Sequence, residues 1–404
     1  MDKYDYVSRF VNQSLGLQEG LPEKGIVPDL LCSEIIDAVT GKINSSDDPF
    51  VEKSIINFRE EIKNYCLERF GFFVFKERWP NGSGFCVALS HDTDNVSRPL
   101  SHVIKIRGRF SLTDLILHFL KIRSLYDNFT YTSELEDKHS FRSTFFVMVS
   151  NYDLKKLKKK IKFMTERGWE FCLHSSNDSY ISEQKLGEEI KTFSEVLSFK
   201  PDGIRQHYLS FDFEKTWNVQ ETNGVYFDST VGNREKTGFR IGLCTPFHPP
   251  AKEWEQMKLI EIPLIIMDTT LWGYLKMEEE SGLEKIKELI TKVSSVNGLF
   301  TVLWHTESLR MKGGRIYPKL LEILRKMNCC VSTLGQIARW WDLRSVPLIV
   351  KESGFFVKDA PKGLVLNLSL MNKEVKNIRG GHLEKFQDNY RIFLTNKDLE
   401  VEIR

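Results

Sequence analysis

The sequence predicts an α/β protein in which a parallel β-sheet curls into a barrel and amphipathic helices cover its outside. From residue 85 to residue 345, short apolar runs typical of buried strands alternate with helical patterns. Repeated β-α units of this kind imply parallel strands joined by crossover helices. About seven or eight such units favour a (β/α)7-type barrel over an open two-layer sheet. Several of the apolar runs also stop abruptly in acidic or histidine residues, which is where parallel sheets place their ligands.

The individual elements follow from hydrophobic periodicity and from turn residues. We expect strands at residues 87–91, 143–149, 170–174, 203–208, 225–229, 259–267, 299–305 and 329–333. We expect helices between them at residues 154–167, 182–197, 283–293, 317–326 and 334–341.

Two flanking regions differ in pattern from the barrel. Residues 1–83 are mostly helical, with the clearest helix at residues 50–67, and a Pro-Asn-Gly turn closes this region. Residues 346–404 lose the helical period and predict a small β-rich C-terminal extension. The barrel therefore spans residues 84–345. Within it, residues 95–140 are too long for one crossover and indicate an insertion that contains a helix at residues 112–126.

Composition excludes several classes of function. The 404 residues are 41% hydrophobic and 28% charged, which is typical of a globular protein. A net charge of +2 gives no reason to expect nucleic acid or an anionic membrane as a partner. No apolar run is long enough to span a bilayer, and the first residues lack the pattern of a signal peptide. Seven cysteines without a disulfide framework fit a reducing compartment, so we expect a cytoplasmic protein.

Candidate metal ligands and a candidate base follow two of the predicted strands. Asp92 and Asp94 end the run that starts at Val87, where one carboxylate can hold a metal while the other accepts a proton from water. His174 ends the short run that starts at Glu170, and Asp178 comes four residues later. If the chain is helical there, both side chains lie on one face and can bind one ion.

Two later strands end in groups that suit acid–base chemistry. Arg205 can hold a catalytic carboxylate ionised and oriented through paired hydrogen bonds. His305 can serve as a general acid toward a departing amine. Asp228 and Asp268, each near the end of an apolar run, are both candidates to hold the imidazole of His305.

The order of these motifs resembles the polysaccharide deacetylases of the NodB-homology type, the family four carbohydrate esterases. The resemblance covers residues 85–345 and rests on Ser90-His-Asp-Thr-Asp94, Ser143-Thr-Phe-Phe-Val147, Gly168-Trp-Glu-Phe-Cys-Leu-His174, Arg205-Gln-His-Tyr208 and Leu303-Trp-His305. Further runs are similar to deacetylase-like proteins associated with bacterial surface-polysaccharide synthesis. The resemblance implies a (β/α)7 barrel.

It also implies roles: Asp92 as general base, Asp94 and His174 as metal ligands, Arg205 as the residue that orients Asp92, His305 as general acid, and the backbone N–H of Tyr208 as an oxyanion donor. Where the family has a second histidine ligand, this sequence has Asp178. Asp178 can ligate, but its negative charge would reduce the Lewis acidity of the ion. His91 and His207 are close enough in sequence to be substitute ligands.

The implied activity is metal-dependent removal of an acyl group, most simply acetyl, from an N-acylated sugar or glycan precursor in surface-polysaccharide synthesis. The implied cofactor is a divalent metal, first of all Zn²⁺, with Co²⁺, Ni²⁺ and Mn²⁺ as alternatives. Two other readings stay open. One is a deformylase or another hydrolase of non-peptide C–N bonds on the same fold, and the other is a carbohydrate-binding homologue that has lost catalysis.

Overall fold

The computed structural model describes residues 2–23 and 26–404 of the chain. Its α-helices are α1 Lys3–Leu15, α2 Asp29–Val39, α3 Phe50–Phe70, α4 Leu100–Lys105, α5 Leu112–Phe119, α6 Phe129–Asp137, α7 Lys158–Thr165, α8 Glu183–Leu197, α9 Thr216–Thr222, α10 Glu279–Ser295, α11 Ile316–Arg325 and α12 Leu334–Leu343. Its strands are β1 Phe72–Lys76, β2 Phe85–Thr93, β3 Thr144–Val147, β4 Glu170–Ser175, β5 Gly203–Gln206, β6 Phe227–Asp228, β7 Ile260–Glu261, β8 Ile266–Met267, β9 Leu299–Leu303, β10 Cys329–Ser332, β11 Leu348–Lys351, β12 Gly354–Val357, β13 Val365–Leu370, β14 Val375–Arg379, β15 Gly381–Phe386, β16 Asn389–Leu394 and β17 Leu399–Ile403.

A parallel sheet of nine strands, β2 to β10, forms the centre of the molecule. The strand order is β7-β6-β5-β4-β3-β2-β9-β8, and β10 pairs with the first half of β2. Val87, Ala88 and Leu89 of β2 are all inaccessible to solvent. Such burial on both faces is expected for a parallel strand that has helices on one side and the barrel interior on the other. The sequence-based expectation of a curled α/β sheet is confirmed.

One predicted strand, at residues 259–267, is wrong as a single element. It is divided between β7, which pairs with β6, and β8, which pairs with β9, so its two ends lie at the two edges of the sheet. The linking backbone bonds to both sides: the Leu264 N–H donates to the Val231 carbonyl, and the Ile265 N–H donates to the Thr301 carbonyl. This segment therefore closes the curl of the sheet, which periodicity alone could not indicate.

The two flanking regions are joined by strand pairing. β1, which lies in the region expected to be mostly helical, pairs antiparallel with β13. The C-terminal strands form two four-stranded antiparallel sheets, β1-β13-β16-β15 and β11-β12-β17-β14, around a shared apolar core. The β-rich C-terminal extension is confirmed. The domain boundaries at residues 83 and 345 remain predictions, because the pairing of β1 with β13 joins the two flanking regions.

The insertion at residues 95–140 contains three short helices, α4, α5 and α6. The helix expected at residues 112–126 ends at Phe119, where Leu120 and Lys121 begin a turn and Lys121 has a positive φ of 57°. A residue with a side chain rarely adopts that conformation inside a helix. The insertion is therefore built from several short elements that can fold over the barrel mouth.

Two further expectations concern cysteines and the membrane. Cys86 of β2 and Cys330 of β10 are paired in register and form a disulfide, although no disulfide framework is visible in the cysteine spacing. Over residues 2–23 and 26–404, no helix has both the length and the hydropathy needed to cross a bilayer.

Candidate active site

The carboxyl ends of β2, β4, β5 and β9 bring the candidate residues together at one mouth of the barrel. His174 and Arg205 are register partners on β4 and β5, and Ser90 on β2 is the partner of Leu303 on β9. Asp92 lies two residues beyond Ser90, and His305 lies two residues beyond Leu303. Parallel register therefore converts positions more than two hundred residues apart into neighbours.

A group that could hold a metal ion is formed by Asp94, His174 and His207. One ligand atom from each of the three residues lies within 4.8 Å of the others. Nε2 of His174 is 3.2 Å from Oδ1 of Asp94, and Nε2 of His207 is 3.7 Å from Oδ2 of the same carboxylate. The imidazole rings of the two histidines meet edge to face, with centroids 5.2 Å apart.

The tautomer of His174 shows that this point needs a positive charge. Nδ1 of His174 lies 2.9 Å from the carbonyl oxygen of Arg205 and so carries a hydrogen that it donates. Nε2 then faces carboxylate oxygens of both Asp94 and Asp92, the latter at 3.6 Å. A neutral Nε2 would direct a lone pair at these oxygens, so only a proton or a metal cation satisfies the arrangement.

The opposite charges in this group also shift the pKa values of His174 and Asp94. Burial opposes a charge on His174, but the carboxylates of Asp92 and Asp94 outweigh it and raise the pKa of His174. Burial acts to raise the pKa of Asp94, yet the neighbouring imidazoles of His174 and His207 hold it well below its usual value. In addition, Oδ1 of Asp94 is buried and accepts no hydrogen bond of good geometry from the described residues.

Asp178 is not part of this group, which corrects the expectation that it ligates the metal. Its side chain is 73% exposed and pairs with Lys185 at 2.9 Å. The i, i+4 argument required a helix after His174, but His174 lies within strand β4, and Asp178 precedes a short 3-10 turn. His207, considered from the sequence only as a substitute ligand, occupies the place next to Asp94.

His91 is the other histidine considered as a substitute ligand, and it points away from the site. It alternates with Asp92 along β2, so the two side chains lie on opposite faces of the strand. Nδ1 of His91 is 2.8 Å from the Trp304 carbonyl oxygen, and Nε2 is 2.8 Å from a carboxylate oxygen of Glu136. Both ring nitrogens are therefore occupied.

Asp92 is held by a fully buried arginine. Nη1 of Arg205 donates to Oδ1 of Asp92 and to Oγ of Ser90, both at 2.9 Å. Nε and Nη2 of the same guanidinium donate to the backbone carbonyl and hydroxyl of Ser229, at 2.8 and 3.0 Å. The guanidinium also lies 4.3 Å from the ring centroid of Phe146. These contacts leave Arg205 one orientation and fix the direction in which Asp92 presents its carboxylate.

His305 is held by Asp268, and not by Asp228. Oδ1 of Asp268 is 2.6 Å from Nδ1 of His305, and Oδ2 accepts the backbone N–H of His305 at 3.0 Å. Burial opposes a charge on His305, but Asp268 outweighs it and raises the pKa of His305 well above its usual value. Asp228 instead accepts a hydrogen bond from Thr230 and lies against Glu261, so the prediction that it could hold His305 was wrong.

One cavity of about 660 Å³ is lined by the groups with proposed chemical roles, namely Asp92, Asp94, His174, His207 and His305. Tyr208 lies at its edge with a positive φ of 58°, its ring stacked on that of His207 with centroids 4.0 Å apart. Trp272 lines the cavity, whereas Trp304 is fully buried in the core beside it. The volume lies in the range of sites that enclose a small organic ligand.

The fold and the site geometry can be compared with known proteins. A Mycobacterium smegmatis protein assigned as a polysaccharide deacetylase is similar in structure, with a TM-score of 0.50, 17% sequence identity, and coverage of 68% of this chain and 96% of that chain. The chain has the polysaccharide deacetylase fold. At this identity the likeness establishes the fold of the chain and nothing about its substrate.

Two more structures with the deacetylase fold align less closely. A polysaccharide deacetylase of Bacillus cereus has a TM-score of 0.34 at 13% identity, covering 62% of this chain and 91% of that one. A CE4 family pseudoenzyme of Bacillus anthracis has a TM-score of 0.36 at 10% identity, covering 64% of this chain and 66% of that one. Both scores are too low to carry an argument. No protein-family model matches the sequence, and no curated protein is significantly similar to it.

Sequence reasoning missed one acidic residue of this deacetylase-fold site. Glu307 lines the cavity, and burial together with the charge of Asp94 raises the pKa of Glu307 to about 7. Its position two residues after His305, beyond the end of a barrel strand, is the signal that could have identified it.

Proposed function

We propose that this protein is a metal-dependent hydrolase that removes an acyl group, most simply acetyl, from the nitrogen of an N-acylated sugar. One observation carries the proposal. A metal-type group, a carboxylate held by a buried arginine, and a histidine held by a buried aspartate all line a single cavity at the barrel mouth. Hydrolysis of an amide needs these three functions at one place: a Lewis acid, a base and an acid.

The residues present fit a divalent metal. Two imidazoles and one carboxylate are a donor set that suits Zn²⁺, Co²⁺, Ni²⁺ or Mn²⁺, of which we propose Zn²⁺. Oδ1 of Asp94 is buried without a hydrogen bond of good geometry, and Nε2 of His174 faces two carboxylates, so a cation between them would satisfy both. Asp94, His174 and His207 would hold the ion, which would supply Lewis acidity toward the amide carbonyl.

Asp92 is the proposed general base. Arg205 occupies its Oδ1, so Oδ2 is the oxygen left to accept a proton from an attacking water. Because Arg205 is itself fixed by Ser229, the direction in which Asp92 presents Oδ2 is also fixed. General base catalysis by a positioned carboxylate contributes about 10²–10⁴-fold to a rate.

His305 is the proposed general acid. The hydrogen bond to Asp268 leaves Nε2 of His305 as the nitrogen that can protonate the leaving amine. Its raised pKa keeps the imidazole protonated at neutral pH, as this role requires. The backbone N–H of Tyr208, at the cavity edge, is proposed to stabilise the oxyanion. A setting in surface-polysaccharide synthesis belongs to the same proposal and is supported by the sequence resemblance, whereas the proposed cytoplasmic location is supported by the sequence composition.

The test combines metal analysis with product detection. The purified protein should bind about one equivalent of Zn²⁺ or Co²⁺, and it should release acetate from N-acetylated sugars in a chelator-sensitive manner. Asp94→Asn should abolish both, whereas Asp178→Asn is the matched control and should retain both. Formate release without acetate would favour a deformylase, and loss of metal binding in Asp178→Asn would contradict the assigned ligands. Metal-independent binding of sugar without any turnover would favour a non-catalytic homologue.

A further inference from the structure

Five cationic side chains surround the mouth of the active-site cavity. All are solvent-exposed and line the cavity, namely Arg98, Arg109, Arg234, Lys276 and Lys312. Across residues 2–23 and 26–404, no carboxylate forms a salt bridge with any of them. The chain as a whole is nearly balanced, with 57 basic and 55 acidic residues. The cavity mouth is therefore a local concentration of positive charge.

The carboxylates of the same cavity do not neutralise this rim. Asp92 is bonded to Arg205, and the carboxylate of Asp94 faces the two histidines at 3.2 and 3.7 Å. Glu307 accepts hydrogen bonds from Asn95 and Thr306, both at 3.4 Å. The acidic groups thus belong to the floor, and the unpaired cations belong to the entrance.

The rim is assembled from separate parts of the chain. Arg98 and Arg109 come from the insertion, Arg234 follows β6, Lys276 follows β8, and Lys312 follows β9. Exposed cations that lie on one helix are usually a solvated face. Cations that converge on one cavity from four segments form a ring around whatever enters it.

Two of the cations are held side by side by the backbone. An isolated antiparallel bridge joins Phe110 to Met311, so Arg109 and Lys312, each one residue away, lie at neighbouring positions. Like charges at paired positions destabilise the pairing. An anion bound between them would remove that cost.

We propose that the acylated sugar carries a phosphate or diphosphate ester, and that this rim binds the ester while the acyl group reaches the floor of the cavity. The inference rests on the proposed function and specifies its substrate class. Guanidinium groups bind phosphate oxygens through paired hydrogen bonds, and lysines add point charges. A diphosphate needs several cations, whereas a single sugar carboxylate would need only one. The cavity of about 660 Å³ has room for a sugar as well as its ester.

The first experiment measures binding without turnover. Titration calorimetry follows inorganic pyrophosphate binding to the intact protein in the presence of a chelator, so that a metal cannot be the phosphate ligand. Arg109→Ala and Lys312→Ala should each weaken binding about tenfold, or about 1.4 kcal/mol, because each removes a charged donor to the phosphate oxygens. Arg325→Ala removes an exposed cation outside the cavity and should leave the affinity unchanged. Equal affinity in all four proteins would overturn the proposal.

The second experiment distinguishes substrates by acetate release from the metal-loaded protein. The substrates are methyl N-acetylglucosaminide, N-acetylglucosamine 1-phosphate, UDP-N-acetylglucosamine and a short-chain prenyl diphosphate N-acetylglucosamine. A higher kcat/KM for phosphorylated substrates, reduced in Arg109→Ala, supports the proposal, and the best of the three identifies a nucleotide or a lipid carrier. Equal rates with the neutral sugar, or a preference for a uronate polymer, would overturn it while leaving the hydrolase intact. Pyrophosphate binding that depends on the rim, without acetate from any substrate, would instead contradict the proposed hydrolase.

Discussion

Glu136 of α6 is the centre of a buried network, and its replacement is the sharpest stability prediction. The carboxylate is inaccessible to solvent and is bonded to four side chains. Oε1 accepts from Tyr317 at 2.6 Å and contacts Nε2 of His91 at 2.8 Å, and Oε2 accepts from Ser143 at 2.8 Å and from Trp169 at 2.7 Å. Nε2 of His91 also lies 3.1 Å from the hydroxyl of Tyr317, so these two partners of Glu136 contact one another as well as the carboxylate.

The loss of stability expected in Glu136→Ala follows from these contacts. Each buried donor left without a partner costs about 1–3 kcal/mol, so Glu136→Ala would cost about 4–12 kcal/mol if all four stayed unpaired. The space vacated by the side chain admits a water that can serve some of the donors. We therefore expect a loss of about 4 kcal/mol in the free energy of unfolding, the lower end of that range.

Urea unfolding followed by circular dichroism measures this loss as a shift in midpoint at constant slope. Tyr317→Phe removes one donor and should cost about 1 kcal/mol. Glu134→Ala, at an exposed position on the same helix, should change stability by less than about 0.5 kcal/mol. A loss below about 1 kcal/mol in Glu136→Ala would refute the reasoning. Since α6 belongs to the insertion, the variant should also weaken pyrophosphate binding at the rim.

Three further outcomes are expected. Asp268→Asn should lower kcat/KM for deacylation by about 10²–10⁴-fold. It should also move the alkaline limb of the pH–rate profile to lower pH, because His305 loses the charge that raises its pKa. An unmoved limb would argue against His305 as the acid. Burial raises the pKa of Asp228 from 3.8 to about 6, so the folded protein binds more protons there than the unfolded chain, and stability declines as pH rises through this window. Asp228→Asn should remove about 3 kcal/mol of the decline in the free energy of unfolding, measured by urea unfolding at pH 4 and pH 8. An unchanged decline would show that another titrating group causes it. Gly203→Ala should cost about 1–3 kcal/mol, because an added Cβ would meet the ring of Phe227 at 2.5 Å or less; a thermal midpoint equal to that of the parent would show that the ring can move.

Much of the barrel could be predicted, because the patterns that indicate its strands lie within short segments of the sequence. The runs that became β2, β4 and β9 are apolar where a strand is buried on both faces, and each stops where polar groups begin, whereas β5 is short and already ends in polar residues. The rule that ligands lie beyond the carboxyl ends of parallel strands then indicates Asp92, His174, Arg205 and His305 as neighbours.

Other features depend on contacts between distant segments, which no local pattern contains. The division of residues 259–267 between two sheet edges depends on how far the sheet curls. The pairing of β1 with β13 joins residues nearly three hundred positions apart. The basic rim consists of cations that, taken singly along the chain, resemble ordinary surface residues.

By itself, the sequence determined the fold class and the strand on which each principal side chain stands, because periodicity and strand ends are properties of short segments. The tertiary structure alone decided which side chains meet: His207 beside Asp94 in place of Asp178, and Asp268 beside His305 in place of Asp228. The physical reason is that coordination and proton transfer act over about 3 Å, and sequence spacing specifies such distances only within a regular helix or strand. The turns after β4 and β5 are neither.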